Sequence, residues 1–396
     1  MKKISVVFTI LVAAVMLLSA CGPAPTTVAP ATVVVPPTAV PPTAVPPTDV
    51  PPTAAPFRVG FVTDTGGIDD KSFNQTQWEG ILRAQTDLGI EAQFIQSDEA
   101  SQYTPNLTEF ASQGYDLIIA SGFFLSADLA QVAAQYPDIK FSIVDMGYPD
   151  PFGVPEGVVG KNECIPNVMG QVFKTDQAAY LAGYLAAGMT RTGKIAYYGG
   201  AKIPSVTIFG VGFQQGMDAY NTAHGTSVKL LGWDNATGEG SFTGDFGDLT
   251  KAKQAATSLY DEGADIVMGV GGIIGIPSFA LARERGGYGL WVDTDGYVRF
   301  PDDRDIMLTS IMKQMDQSQY DLIQASLDGT FAGCTNYVGS MQNGGVGIAD
   351  YHDLSSAVPD ALKAEIEALK AKILSGELAD TGCISYPNSC PGGLYP

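Results

Sequence analysis

The chain has 396 residues, 45% of them hydrophobic, and a formal charge of −20. That length allows two domains with sizeable cores, and the acidic balance argues against nucleic-acid phosphate as a partner. With His224 and His352 as its only histidines, the chain has little with which to build a histidine-rich metal site.

The first segment reads as a leader. "MKK" is positively charged, and residues 4–18 form an apolar run short for a bilayer span. "LSAC" follows, ending at Cys21. Small residues ahead of a cysteine resemble a bacterial lipobox, which implies a signal peptide over 1–20, cleavage before Cys21 and acylation of its thiol. Residues 21–56 carry that cysteine and a Pro/Thr-rich spacer that repeats V-P-P-T-A. Proline at this density forbids helix, and extended polyproline II at ~3.1 Å per residue reaches on the order of 100 Å. Four other cysteines remain: Cys164, Cys334, Cys383 and Cys390. An even number in an exported chain reads as two disulfides, with three possible pairings. The short loop between Cys383 and Cys390 favours joining those two, which leaves Cys164 with Cys334.

From Phe57 onward strands and helices alternate. "FRVGFV" is a strand and "FNQTQWEGILRAQTDLG" a helix ended by Gly89. "EAQFIQ", "YDLIIASG" and "KFSIVDMG" are strands, separated by the helices "YTPNLTEFASQG" and "LSADLAQVAAQYP". The pattern then repeats. "TDQAAYLAGYLAAGM" is a helix, "KIAYYGG" a strand, "GVGFQQGMDAYNTA" a helix and "SVKLLGW" a strand. "TKAKQAATSLYDEG" and "PSFALARERG" are helices that alternate with the strands "ADIVMGVGG" and "YGLWVDTDG". Such alternation means parallel sheets with helical crossovers. Two units of this kind predict two lobes. Lobe 1 covers 57–166, with a return segment at 300–332 read from the helical pattern "SIMKQMDQSQYDLIQASLDGTF". Lobe 2 covers 167–299 with the C-terminal segment 333–396, which includes the amphipathic helix "VPDALKAEIEALKAKILSGE".

Ligands of open parallel sheets bind beyond the carboxyl ends of strands, and the polar clusters sit there. Asp64, Ser121–Gly122, Asp145, Gly271–Gly272 and Asp293 each end a strand, and five strand ends on one cleft make one site. "GMTRTGKI" nearly spells a phosphate-binding loop, but Ile195 stands where Ser or Thr would hold magnesium, and a helix precedes it; Gly188 reads as a helix cap. "GVGGIIGIP" opens a helix after a strand but breaks the dinucleotide spacing at Ile274. It is either a tight turn or a surface for close ligand approach. Asp69 and Asp70 are a poor acid–base pair, since neighbours in a loop seldom point together. "DTGGIDD" lacks the regular calcium-loop pattern and its closing Glu. Phe73–Asn74 is open to two readings: a core Phe behind an Ser72 N-cap, or an aromatic face with an amide at its edge. Phe242 and Phe246 offer further aromatics in the second lobe.

Taken together, "GFVTDTGGIDDKSFNQTQWEGI", "FSIVDMGY", "FKTDQAAYLAGYLAAGMTRTGKIAYYGG", "IPSVTIFGVGFQQGM", "ADIVMGVGG", "LWVDTD", "MLTSIMKQMDQSQY" and "ALKAKILSGEL" strongly resemble the basic membrane protein family of ABC-transporter substrate-binding lipoproteins, which includes purine nucleoside receptors. The resemblance covers the chain after Pro56. It implies a type I periplasmic-binding fold: two lobes, each a parallel sheet flanked by helices, joined by a three-segment hinge. It also implies a nucleoside in the cleft. On this chain Phe73 would stack on the base, with Asp64 and Asn74 at its edge. Asp145 would line the pocket, and Gly272, Asp293 and Lys313 would approach the ribose. Phe246 would be the second aromatic, although the inserted "WDNATGEGSFTG" keeps Phe242 in play. The implied protein is a monomer, not an enzyme, and needs no cofactor. It is anchored by lipid on the extracytoplasmic face of the cell membrane and delivers its ligand to separate permease and ATPase subunits. Alternatives are a receptor that feeds a signalling partner, a different polar ligand such as a sugar, or an enzyme acting on the nucleoside. Cys21→Ala is expected to abolish lipidation, because only that thiol can carry the diacylglycerol. Detergent partitioning is the check: a cleaved Cys21→Ala protein that still enters the detergent phase contradicts the lipobox.

Overall fold

The computed structural model describes residues 55–149, 157 and 159–390. The leader, Cys21 and nearly all of the Pro-rich spacer lie outside them. In chain order the elements are β1 (Arg58–Val62), α1 (Phe73–Leu88), β2 (Glu91–Ile95), α2 (Tyr103–Ser112), β3 (Leu117–Ser121), α3 (Ser126–Gln135), β4 (Lys140–Val144) and β5 (Val168–Phe173). There follow α4 (Thr175–Met189), β6 (Lys194–Gly199), α5 (Pro204–His224), β7 (Lys229–Leu231), a small β8 (Trp233–Asp234) and β9 (Glu239–Gly240) pair, and α6 (Leu249–Asp261). The rest are β10 (Ile266–Val270), α7 (Pro277–Arg285), β11 (Tyr288–Asp293), α8 (Gly296–Arg299), β12 (Met307–Lys313), α9 (Met315–Leu327), β13 (Thr335–Gly339), β14 (Val346–Ile348) and α10 (Asp360–Ser375).

The strands form two six-stranded sheets, ordered β13-β5-β4-β3-β1-β2 and β14-β12-β11-β10-β6-β7. Sequence explains their interiors. β3 is Leu-Ile-Ile-Ala-Ser and wholly buried, as a strand covered on both faces must be, whereas the edge strand β2 is mostly exposed. Some helices end on a left-handed glycine: Gly89 after α1 and Gly286 after α7 both have φ 70°.

Three findings correct the sequence reading. The second sheet is mixed, because β14 runs antiparallel to β12. The lobe boundaries also shift. β5 and β13 pair with each other in the first sheet, while β12 pairs with β11 in the second. So β5 and β13 lie outside the span assigned to lobe 1, and β12 lies inside the return segment yet stays with the second sheet. The chain crosses between lobes after β5, after β12 and between β13 and β14. Only Gln314 separates β12 from α9, with no Gly or Pro to mark the change, so "SIMKQMDQSQY" reads as one helix. Finally, Gly188 lies inside α4, which ends at Met189. A Cβ there would sit 2.6 Å from Leu362 of α10, so the residue is small for packing rather than for capping.

Cys164–Cys334 and Cys383–Cys390 are the disulfides. The first joins the segments that enter the paired strands β5 and β13. The second closes a loop whose two cysteines are buried against the second lobe.

α4 is buried on almost every side and lies against α5. The helices meet at glycines: a Cβ on Gly216 would come within 1.9 Å of the Tyr180 carbonyl oxygen, and one on Gly183 within 2.0 Å of that of Phe213. Backbone cannot yield as a side chain does, so any larger residue must push the helices apart. Gly216→Val is expected to cost about 1–3 kcal/mol, seen as a lower midpoint in urea unfolding. An unchanged midpoint would mean that the helices are not locked at this point.

Candidate functional site

The two sheets supply matching strand ends. In the first, β1 runs to Asp64, β3 to Gly122 and β4 to Asp145; in the second, β6 runs to Gly200, β10 to Gly271 and β11 to Asp293. Asp145 and Asp293 occupy equivalent places, and both have left-handed backbones, with φ of 66° and 70°. A side chain in that conformation is costly, and such residues cluster at functional sites. Gly122 and Gly271 hold φ of 104° and 139° and each leads into a 3-10 turn.

Between these ends lies a cavity enclosing about 550 Å³ of space free of atoms, part of it open to solvent. That is a small-molecule size. All eight ligand residues expected from sequence line it: Asp64, Phe73, Asn74, Asp145, Phe246, Gly272, Asp293 and Lys313. Phe242 is not among the lining residues. Its ring packs edge-on to Tyr197 and Trp233, with centroids 6.3 and 6.4 Å away. Phe246 instead fills the space left by missing side chains, where a Cβ on Gly200 or Gly271 would meet its ring at 2.2 or 2.7 Å.

On the first lobe, Oδ1 of Asp64 accepts from the Gly66 amide at 2.9 Å and from Nδ2 of Asn74 at 2.8 Å. Asp70 caps α1, accepting the amides of Ser72 (3.0 Å), Asn74 (2.8 Å) and Gln75 (3.1 Å). Ser72, the N-cap in one of the two sequence readings, holds that position, but its side chain makes no cap bond and its hydroxyl donates instead to Oδ2 of Asp293 across the cleft at 2.6 Å. Asp69 is exposed while Asp70 is buried, so the adjacent carboxylates diverge. Lys313 reaches from β12 to Oδ1 of Asp145 at 2.7 Å, with only 2% and 10% of the two side chains exposed. Its ammonium also lies 4.9 Å from the Phe73 ring centroid and 5.2 Å from that of Phe173, a favourable cation–π arrangement.

Further contacts join the lobes. Arg299 of α8 grips Glu79 of α1 with two bonds, Nη1 to Oε1 at 2.6 Å and Nη2 to Oε2. Phe124 and Phe246 approach with centroids 6.1 Å apart. Burial raises the carboxyls of Asp64, Asp145 and Asp293 above the usual range, and pushes Asp70 up to about 7, against the donors that favour their ionised forms. Ser205, at the start of α5, hydrogen-bonds Asp145. The Ser72–Asp293 contact and the places of Phe124 and Ser205 in the site escape sequence reasoning because a hydroxyl or ring in a loop or first turn carries no periodic signal. Among the described residues, no group of three or more His, Cys, Asp or Glu side chains is placed to hold a metal ion.

Residues 57–379 match the family described as ABC transporter substrate-binding protein, PnrA-like. The chain is 31% identical over 340 residues to a CD4+ T-cell-stimulating antigen of Listeria monocytogenes, covering 81% of this chain and 87% of that one. It is 28% identical over 335 residues to an ABC transporter nucleoside-binding protein, BmpA, of Lactococcus lactis, covering 80% and 88%. A solute-binding protein of an Aeropyrum pernix ABC transporter superposes with TM-score 0.70 at 25% identity, covering 81% and 92%. The chain belongs to the PnrA-like family of ABC-transporter substrate-binding proteins.

Removing Lys313 isolates a buried carboxylate. Lys313→Met is expected to cost about 3–5 kcal/mol, as breaking a buried pair does, and adding Asp145→Asn is expected to restore part of it. Denaturant unfolding of the single and double variants is the measurement. Strictly additive losses would show that the two side chains are not coupled.

Proposed function

We propose that this protein captures a purine nucleoside in the cleft and delivers it to a membrane permease. The carrying observation is the composition of the cavity wall: aromatics from both lobes, among them Phe73 and Phe246, together with four aspartates, Asp64, Asp70, Asp145 and Asp293, and one lysine. A purine nucleoside offers a flat ring for the aromatics, N–H groups for carboxylates at the base edge, and ribose hydroxyls for carboxylates at the sugar. It brings no formal charge into a wall rich in buried carboxylates. A nucleotide's phosphate would meet that wall unfavourably, which is selection by repulsion. The name of the Lactococcus relative, a nucleoside-binding protein, supports the same ligand class.

In this reading Phe73 and Phe246 flank the base. Asp64 takes its N–H groups, with Asn74 beside it. Asp293 takes ribose hydroxyls, helped by Gly272, where a ligand can come close to the backbone. Lys313, neutralised by Asp145, donates to an uncharged oxygen or ring nitrogen. The Ser72–Asp293, Asp145–Lys313 and Glu79–Arg299 bonds hold the lobes closed over the ligand, and the three interlobe crossings act as the hinge. The lipid on Cys21 keeps the protein at the outer face of the cell membrane.

Calorimetric titration of guanosine, inosine and their free bases tests this. Phe73→Ala is expected to weaken nucleoside and base alike by about ten- to a hundredfold, given ~1–3 kcal/mol per stacked base. Asp293→Ala is expected to weaken the nucleoside selectively, by roughly 1.5–3 kcal/mol. Equal losses for nucleoside and base at Asp293 would remove the ribose assignment. No wild-type binding to any purine nucleoside would remove the ligand class.

A further inference from the structure

Behind the cavity wall runs a line of buried polar side chains that reaches the wall only at Asn74 and Asp64. Ser142 of β4 donates to the Met169 carbonyl at 2.8 Å. Gln171 of β5 donates from Nε2 to Ser142 at 2.9 Å and to Oε1 of Gln319 at 3.2 Å. Gln319 of α9 donates to Oε1 of Gln77 at 3.3 Å. Gln77 of α1 donates to the Phe73 carbonyl at 3.1 Å and to Ser121 at 2.7 Å. Ser121 donates to Oδ1 of Asn74 at 2.6 Å, and Asn74 donates to Asp64 at 2.8 Å. Gln77, Gln171, Gln319, Ser121 and Ser142 are all fully buried.

The direction of this chain is forced. A backbone carbonyl and an ionised carboxylate can only accept. The Met169 carbonyl fixes Ser142 as an acceptor toward Gln171. The Phe73 carbonyl fixes which end of the Gln77 amide faces Ser121. Asp64 fixes Asn74. From Gln171 onward every link therefore donates toward Asp64, and aligned hydrogen bonds polarise one another. The arrangement leaves Oε1 of Gln171 buried without a partner. A buried acceptor left unpaired is costly, and the orientation that leaves it so is the one that directs the chain to Asp64.

We propose that Gln77 and Gln319 are positioning residues: through Ser121 and Asn74 they orient a donor onto Oδ1 of Asp64 and hold that carboxylate as an acceptor at the cavity wall. Oδ2 is the atom left for a ligand. It lies beside Gly122, where a Cβ would stand 3.2 Å from it. The chain also ties the wall to two segments that flank lobe crossings, since β5 precedes one and α9 follows another. The inference rests on the nucleoside reading for what Asp64 recognises, but not for the chain itself.

The test follows the Asp64 carboxyl by carbon-13 NMR in ligand-free, full-length protein, with Asp64→Asn identifying the signal. The titratable groups facing it are Asp70, Tyr103 of α2, Asp145, and Asp293 and Lys313 across the cleft; all of these are unchanged in the variants. Donors to the ionised form lower a carboxyl's titration midpoint, so breaking the chain raises it. Gln319→Met and Ser121→Ala are both expected to move the Asp64 midpoint upward by about half a pH unit or more. Guanosine affinity at neutral pH is expected to fall about three- to tenfold in each, and binding to be lost at a higher pH on acidification than in wild type. Reduced melting temperatures with the Asp64 midpoint unmoved in both variants would overturn the proposal and leave the glutamines a packing role. If wild-type protein binds no nucleoside, the ligand reading fails, and the midpoint still decides the role of the chain.

Discussion

Nζ of Lys313 and Oδ1 of Asp145 lie 2.7 Å apart and come from different lobes. Neither charge can be left alone at that depth, because an uncompensated buried ion is strongly destabilising. The pair therefore constrains the lobes as well as the pocket. β12 must end where its lysine reaches across the cleft, β4 must release Asp145 into a left-handed turn, and the interlobe crossings must allow the approach. Ser72–Asp293 and the more exposed Glu79–Arg299 pair add further bonds between the lobes, one just before α1 and one within it. A ligand that strengthens these contacts favours the closed arrangement, and one that separates them opposes it.

The same pair explains how an acidic wall can serve an uncharged ligand. Asp64, Asp70, Asp145 and Asp293 share the wall with one ammonium, and Asp145 lies against it at 2.7 Å. Asp70 is occupied by three amides, those of Ser72 and of Asn74 and Gln75 in α1. What remains for a ligand is a set of acceptors, several phenylalanine rings from both lobes and a lysine that is already neutralised. Such a wall matches many N–H and O–H donors around a flat apolar face, and resists an additional anion.

Much of this was legible in the sequence because the chemistry collects at strand ends. Asp64, Asp145, Gly272 and Asp293 each follow a short apolar run, and Phe73 begins a helix directly after such a loop. The alternation of strands and helices was equally plain. Which sheet a strand joins was not legible, because pairing is a long-range choice: β12, β5 and β13 carry no local mark of their partners, and β14 shows no sign that it runs antiparallel. Gly188 looked like a stop and proved to be a contact, since sequence alone does not reveal the neighbour at Leu362. Gln77 and Gln319 were hidden for a similar reason. A glutamine on an amphipathic helix reads as solvent-facing, and only the packing of α1 on α9 buries both amides and makes them face each other. Phe246 and Phe242 could be separated only in three dimensions, by the empty faces of Gly200 and Gly271 that admit one ring.

The central claim is that one site built from both lobes encloses a purine nucleoside. A crystal structure of the protein grown with guanosine tests it most directly. The account predicts the base between Phe73 and Phe246, its N–H edge on Asp64, the ribose hydroxyls on Asp293, and the Lys313–Asp145 pair intact. A nucleoside bound elsewhere, or a cleft that excludes it while another class of small molecule occupies the same wall, would contradict the claim.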